Sequence, residues 1–143
     1  MQFHGEYQHT VDTKGRVSLP AKFRKALPDE VVVVPGVFGG LSVFSEEGYA
    51  KWVEAFFPPK EDGTSGYNQR SRKDVMFRKM LNASAENTSV DSAGRITLSV
   101  RKREDANITK DVLIIGDDDH IEIWDVKSYE EAMEGISFDD FMV

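Results

Sequence analysis

The stretch Asp12-Thr13-Lys14-Gly15-Arg16-Val17-Ser18-Leu19-Pro20-Ala21-Lys22-Phe23-Arg24 returns as Asp91-Ser92-Ala93-Gly94-Arg95-Ile96-Thr97-Leu98-Ser99-Val100-Arg101-Lys102-Arg103, each position recurring 79 residues on. The residues after each copy also repeat. A four-residue apolar run, Val31–Val34 or Val112–Ile115, leads through a glycine-containing connection to Leu41-Ser42-Val43-Phe44 or Ile121-Glu122-Ile123-Trp124. Self-similarity of this kind predicts two copies of one supersecondary unit that bury their apolar faces against each other.

Within the first copy, Tyr7, His9 and Val11 alternate on one side of an extended segment, and Val17 and Leu19 on one side of the next. That pattern predicts two strands folded about a turn at Asp12–Gly15. Asp accepts from backbone amides two residues on, and Gly takes the positive φ of a tight turn at little steric cost. Pro20 opens a short helix in which Phe23 and Leu27 share one face, Pro28 stops it, and Lys22, Arg24 and Lys25 are left outside. The uniform Val31–Val34 run reads as a strand buried on both faces.

Ser45 is an N-cap, with Glu46 and Glu47 where the helix dipole favours anions. Tyr49, Trp52, Val53 and Phe56 then fall on one face, and Pro58-Pro59 ends the helix. These aromatics read as core or as a subunit contact. Residues 58–69 have loop composition, and a second helix is expected over 70–81. The second unit repeats the pattern and closes with a helix from about Asp125. Ser137 to Val143 forms a tail whose Phe138 and Phe141 either dock or stay loose. The expected divisions are therefore 1–57 for the first half, 58–82 for the linker and connecting helix, 83–136 for the second half and 137–143 for the acidic tail.

At 143 residues with 40% hydrophobic and 30% charged residues, the chain has the size of one ordinary domain, so the two halves are expected to share a core. No segment has the run of about 20 apolar residues of a membrane span, and because Met1–Glu6 shows no basic region followed by an apolar core, a secretory signal is not expected. There is no Cys for a disulfide or a thiolate site, which fits a reducing cytoplasm. The net charge of −7 is unevenly spread. Residues 1–28 hold five Lys and Arg against two acids, whereas residues 116–143 hold ten acids against one Lys. The repeated turn is thus basic, and the acidity gathers at the C-terminal end.

A single Asp-x-x-Gly-Arg is a weak motif, but two copies at constant spacing are specific. On these residues the chain resembles the MraZ family, bacterial proteins built from two halves of the kind found in AbrB, SpoVT and MazE-type swapped-hairpin regulators. The similarity runs from Phe3-His4-Gly5-Glu6-Tyr7 to the Ile121–Trp124 strand and the helix after it. The resemblance implies an α+β fold of two pseudo-repeated swapped-hairpin β-barrel halves, with covering and connecting helices. It also implies a sequence-specific DNA-binding transcriptional regulator, expected to be a repressor, in the cytoplasm at the nucleoid. Such a protein assembles into a ring-like homo-oligomer on operator repeats of double-stranded DNA upstream of cell-division and cell-wall genes.

Carried over residue by residue, the motif gives Asp12, Gly15, Asp91 and Gly94 as turn-forming residues. It gives Lys14, Arg16, Lys22, Arg24, Arg95, Arg101 and Arg103 as the DNA-facing set. Ala93 stands in place of Lys14 and Ser99 in place of Pro20, so more is expected of the first half. The physical case is independent of the family: Arg presents a bidentate fork to guanine, other cations neutralise phosphates, and repetition by oligomerisation multiplies those contacts. The acidic end is expected to lie away from such a face.

A second reading makes Arg16 and Arg95 fold-stabilising partners of Asp12 and Asp91. Other functions compete with DNA binding: an antitoxin-like module, or an oligomeric scaffold whose basic hairpins bind an acidic protein partner. Asp117-Asp118-Asp119-His120 offers hard oxygen ligands and an imidazole, which would suit metal-dependent hydrolysis. It occupies the place of the Phe38-Gly39-Gly40 connection, however, and reads as a solvated turn. His4 and His9 read as hairpin side chains. No nucleophile constellation or phosphate-cradling loop is evident, so neither enzyme activity, cofactor, metal nor small-molecule substrate is assigned.

Overall fold

The computed structural model describes residues 2–142; Met1 and Val143, the ends of the first half and of the tail, lie outside the described residues. The first half contains β1 (Glu6–Thr10), β2 (Arg16–Ser18), α1 (Ala21–Ala26), β3 (Glu30–Pro35), β4 (Leu41–Phe44) and α2 (Glu46–Glu54). Helix α3 (Arg72–Ser84) then leads into β5 (Glu86–Ser89), β6 (Arg95–Thr97), α4 (Val100–Asp105), β7 (Asp111–Asp117), β8 (His120–Asp125) and α5 (Val126–Ala132). A 3₁₀ turn at Phe138–Asp140 comes last. The class is α+β, as expected, with an open six-stranded sheet and a separate two-stranded ribbon.

The pairing corrects one expectation. The segments flanking Asp12–Gly15 do turn, but β1 and β2 do not pair as a hairpin beyond the single bridge Val11–Val17. Instead β1 pairs with β7 of the other half, β5 pairs with β3, and β2 pairs with β6. The sheet order β1-β7-β8-β4-β3-β5 is therefore interleaved, with β4 against β8 at its centre in the register Leu41–Ile123, Ser42–Glu122 and Val43–Ile121. Neither half owns a complete sheet. The apolar segments that alternate along one strand are matched by partners the local sequence does not contain.

Alternation also assigns the faces. Val31, Val33, Leu41, Val43, Val112, Ile114, Ile121 and Ile123 turn to one side, where they meet Val17, Ile96 and Leu98 of the ribbon and Phe23, Leu27, Ala106 and Ile108 from the short helices. Phe23 is fully buried, with Phe3 and Tyr7 edge-on at 5.6 and 5.4 Å between ring centroids. On the other side Phe44 meets Trp52 at 5.3 Å, and Trp124 meets Tyr129 at 5.5 Å, so α2 and α5 cover that face. The aromatic set of α2 is thus used within the chain: Trp52 leads to Phe56, and Phe56 to Phe77 of α3, at 5.0 and 5.1 Å.

Local signals account for the helix ends. The Ser45 hydroxyl accepts from the Gly48 amide at 3.0 Å. Ahead of Pro58 the end of α2 tightens, Phe56 N–H and Phe57 N–H donating to Val53 and Glu54 carbonyls three residues back, so the regular helix stops at Glu54. Helix α3 starts two residues later than expected because Ser71 caps it, accepting from Asp74 N–H. It also runs three residues beyond 81. Pro20 stands just before α1 rather than inside it, and its pseudo-equivalent Ser99 caps α4 by accepting from Lys102 N–H at 3.1 Å.

Lys102 occupies the position of Phe23. It is almost wholly buried, its Nζ 2.8 Å from Asp105 and 3.7 Å from Glu86. One half fills this position with a ring and the other with a paired ammonium. Truncation of either is costly for different reasons, a cavity in one case and unpaired buried charge in the other. We expect Phe23→Ala to lower unfolding free energy by about 3–5 kcal/mol, measured by urea denaturation. A loss below about 1 kcal/mol would show that Phe23 is not the keystone of the shared core.

Candidate nucleic-acid interface

Each repeated turn is built by its aspartate. Asp12 Oδ1 accepts from Lys14 N–H and Arg16 N–H, both at 2.9 Å, and Oδ2 accepts from Arg16 Nε at 2.8 Å. Asp91 does the same with Ala93 N–H, Arg95 N–H and Arg95 Nε at 2.9, 2.8 and 2.9 Å. Backbone donors from Arg16 and Arg95 are the leading cause holding both carboxyls below the usual aspartate value, against a smaller opposing effect of desolvation. Both acids are thus anionic at neutral pH.

The pairing reading of the two arginines is therefore correct in geometry, but it uses only Nε. Among the described residues no hydrogen bond engages the terminal nitrogens of Arg16 or Arg95. The two side chains keep about a third of their surface exposed. The aspartate acts as a bracket that fixes the guanidinium plane while leaving its outer edge available.

The halves complete one another's turns. Leu98 N–H donates to Gly15 carbonyl at 2.8 Å, and Leu19 N–H donates to Gly94 carbonyl at 2.9 Å. Arg24 of the first half reaches the second turn, donating to Ser92 carbonyl at 3.0 Å. Arg103 lies reciprocally beside the first turn and donates to Leu98 carbonyl at 3.1 Å. A Cβ on Gly15 would stand 2.8 Å from Leu98 carbonyl and 3.2 Å from the Arg103 guanidinium; on Gly94 it would stand 2.6 Å from Arg24. Both glycines also hold φ near +80°. Conformation and crowding demand glycine together.

The sequence-derived set therefore sorts into two composite groups. Arg103 lies against Gly15, the residue between Lys14 and Arg16, and Arg24 lies against Gly94, the residue before Arg95. Lys22 and Arg101 are exposed at the matching positions of α1 and α4, Lys22 with its Nζ 2.8 Å from His4 Nε2. The absence of a lysine at Ala93 does not leave the second turn without a neighbouring cation, because Arg24 supplies one. The ribbon register places Arg16 opposite Thr97 and Ser18 opposite Arg95. Val17 and Ile96 are buried, and Ser18 and Thr97 are exposed. Those two hydroxyls were missed in the sequence, although their alternation with Val17 and Ile96 was the available signal.

The connection Asp117–His120 is a turn, with Asp118 at positive φ, but His120 is not a solvated side chain. Its ring stacks on Phe44 at 4.8 Å. Nδ1 faces Asp119 Oδ1 and Nε2 faces Glu122 Oε2, each at 2.8 Å, while Trp124 Nε1 donates to Glu122 Oε1 at 2.8 Å. Asp117, His120 and Glu122 bring ligand atoms within 4.8 Å of one another. The hydrogen bonds close this group on itself, which makes it a local ion-pair network on the face covered by α2 and α5.

Burial disfavours the charged His120, yet its bonds to Glu122 and Asp119 outweigh that cost and raise its pKa above the ordinary 6.5. A raised imidazole stabilises the fold fully below its unfolded value, and that contribution is lost as pH rises through the folded value. We expect the thermal midpoint to fall as pH rises from about 6.5, and to fall less in His120→Gln. A profile unchanged by the substitution would remove His120 as the cause. We also expect Gly15→Ala to destabilise the protein by upwards of about 1 kcal/mol, read by thermal denaturation.

Comparison with known proteins bears on this arrangement. The model for the MraZ protein family, described as antitoxin-like, matches residues 2–62 and 81–142. A protein of Spiroplasma kunkelii named Transcriptional regulator MraZ is 39% identical over 135 residues, covering 94% of this chain and 89% of its own length. The protein of that name from Mycoplasmoides gallisepticum is 35% identical over 139 residues, covering 97% and 92%. That from Corynebacterium urealyticum is 36% identical over 129 residues, covering 90% and 85%. With the family matched over both halves and relatives aligned along most of the chain, this protein belongs to the MraZ family.

Proposed function

We propose that this chain is a transcriptional regulator that binds double-stranded DNA sequence-specifically through the β2–β6 ribbon and its flanking arginines. The observation that carries the reading is the reciprocal pairing of cations at the two turns. Arg103 lies beside the turn that carries Arg16 and Arg24 beside the turn that carries Arg95, and the ribbon packs on the face of the sheet opposite α5. A two-stranded ribbon fits the major groove of B-DNA. On its outer side, Arg16 and Arg95 present guanidinium edges fixed by Asp12 and Asp91, while Ser18 and Thr97 add hydroxyls able to meet bases or phosphates. Lys14, Lys22, Arg24, Arg101 and Arg103 serve to neutralise phosphates and set register.

One ribbon carries few cations. Tight binding then requires several subunits on successive operator repeats, in a ring-like homo-oligomer. In the finer reading the protein is a nucleoid-associated repressor of the cell-division and cell-wall gene cluster, as the family resemblance implies. The names of the relatives, transcriptional regulators, support the regulatory part.

The test is fluorescence anisotropy with the upstream duplex and a scrambled duplex across a salt series. Wild type should prefer the upstream duplex and lose affinity steeply with salt. Arg16→Ala and Arg95→Ala should each lose about 1–3 kcal/mol of the discrimination, while Lys22→Ala weakens both duplexes alike and lowers the salt slope. Equal binding to both duplexes, untouched by Arg16→Ala, would overturn the ribbon as the reader of sequence.

A further inference from the structure

Two uncovered surfaces with opposite character sit on the helical face of the sheet. The first is the C-terminal tail. Met133, Ile136, Ser137, Phe138 and Phe141 line an apolar groove of about 560 Å³. Phe138 and Phe141 are 83% and 82% exposed, which is far from what such rings adopt when their final contacts are made. The segment is nevertheless ordered locally. Ser137 and Asp140 form a reciprocal capping box around the 3₁₀ turn that carries the two rings. Glu134, Asp139 and Asp140, all exposed, are neighbours of these lining residues along the chain.

The second is the outer stripe of α3. Met76 and Met80 lie one turn apart, 46% and 62% exposed. Arg72, Lys73 and Lys79 flank them, all exposed, and among the described residues none is in an ion pair. The tail therefore offers aromatic rings among carboxylates, and α3 offers flexible thioethers among cations. Sulfur against aromatic edges is a favourable contact, and Met adapts its shape to an irregular groove.

Within one chain these surfaces are not positioned to meet. Helix α5 packs over β7 and β8, α3 approaches β3 and packs on α2 through Phe77, and α2 lies between them over β3 and β4. We propose that the tail of one copy docks on α3 of the next, with Phe138 and Phe141 on Met76 and Met80, and Asp139 and Asp140 facing Lys73 and Lys79. The inference rests on the ring-like assembly proposed above and names the surfaces that build it. Two different patches make the contact heterologous, so a docked pair keeps one free tail and one free α3, and the chain of contacts continues until it closes. None of the contact residues belongs to the β2–β6 ribbon.

Sedimentation velocity on the full-length chain tests this. A tail variant, Phe138→Asp with Phe141→Asp, and a helix variant, Met76→Asp with Met80→Asp, should each be monomeric alone. Because all four side chains are exposed, both should keep the wild-type circular dichroism spectrum. Mixed in equal amounts they should form a two-chain species and nothing larger, joined by the one intact tail and the one intact α3. In a second arm, Lys73→Glu with Lys79→Glu should disperse the assembly, and adding Asp139→Lys with Asp140→Lys in the same chain should restore it. Variants that keep the wild-type size, or a mixture that stays monomeric, would overturn the contact while leaving ring assembly intact. A wild type that is itself monomeric would overturn the ring as well.

Discussion

The structure depends on one reciprocal constraint: the carbonyl of each turn glycine accepts from the strand that succeeds the other half's turn. Leu98 N–H to Gly15 and Leu19 N–H to Gly94 join the two halves at the place where each would otherwise close on itself. Once those bonds are made, Val17 and Ile96 are directly opposed in the ribbon and pressed into the shared core. The strands before each turn are then carried onto the other half's sheet, β1 to β7 and β5 to β3. A half taken alone would leave an unpaired edge and an open apolar face, both unfavourable in water. The exchange is thus what makes units of this size stable together.

The same constraint assembles the cationic groups. Arg24 is 79 residues from Arg103 in the repeat, yet each is placed by the exchange at the opposite turn. Local sequence around Ala93 shows a turn that has lost its lysine; the fold shows a turn with Arg24 against it. Charge at each site is therefore a property of the pair of halves. In the proposed function this lets both turns face one duplex, with the Asp12 and Asp91 brackets limiting how far each guanidinium must be ordered on binding.

Much of this is legible in the residues themselves, and for a common reason. Periodicity and caps are local, so Ser45, the Val31–Val34 run and the Asp12–Gly15 turn can be placed from neighbours alone. The repeat exposes the two turns and the candidate arginines. Pairing is not disclosed in this way: nothing in Glu6–Thr10 distinguishes a strand that folds back onto Arg16–Ser18 from one that crosses to Asp111–Asp117, because both partners bury the same alternate side chains. His120 is hidden for a related reason. Its neighbours in sequence are solvated acids, and its neighbours in space are Phe44, Glu122 and Trp124.

The departures from repeat symmetry have a shared logic. Where the first half has Pro20 and Phe23, the second has Ser99 and Lys102, and these two side chains share the partner Glu86. Ser99 accepts from Lys102 N–H to cap α4 and donates to Glu86, while the Lys102 ammonium reaches Asp105 and approaches Glu86. A buried ammonium is tolerated only with such partners. Substituting the lysine alone into the first half would strand a charge, since Leu27, Tyr7 and Phe3 surround that position with rings and methyls. The second half can bury a cation because β5 brings Glu86 beside it. Duplicated halves can thus diverge at buried positions without losing the exchange, provided each divergence brings its own partner.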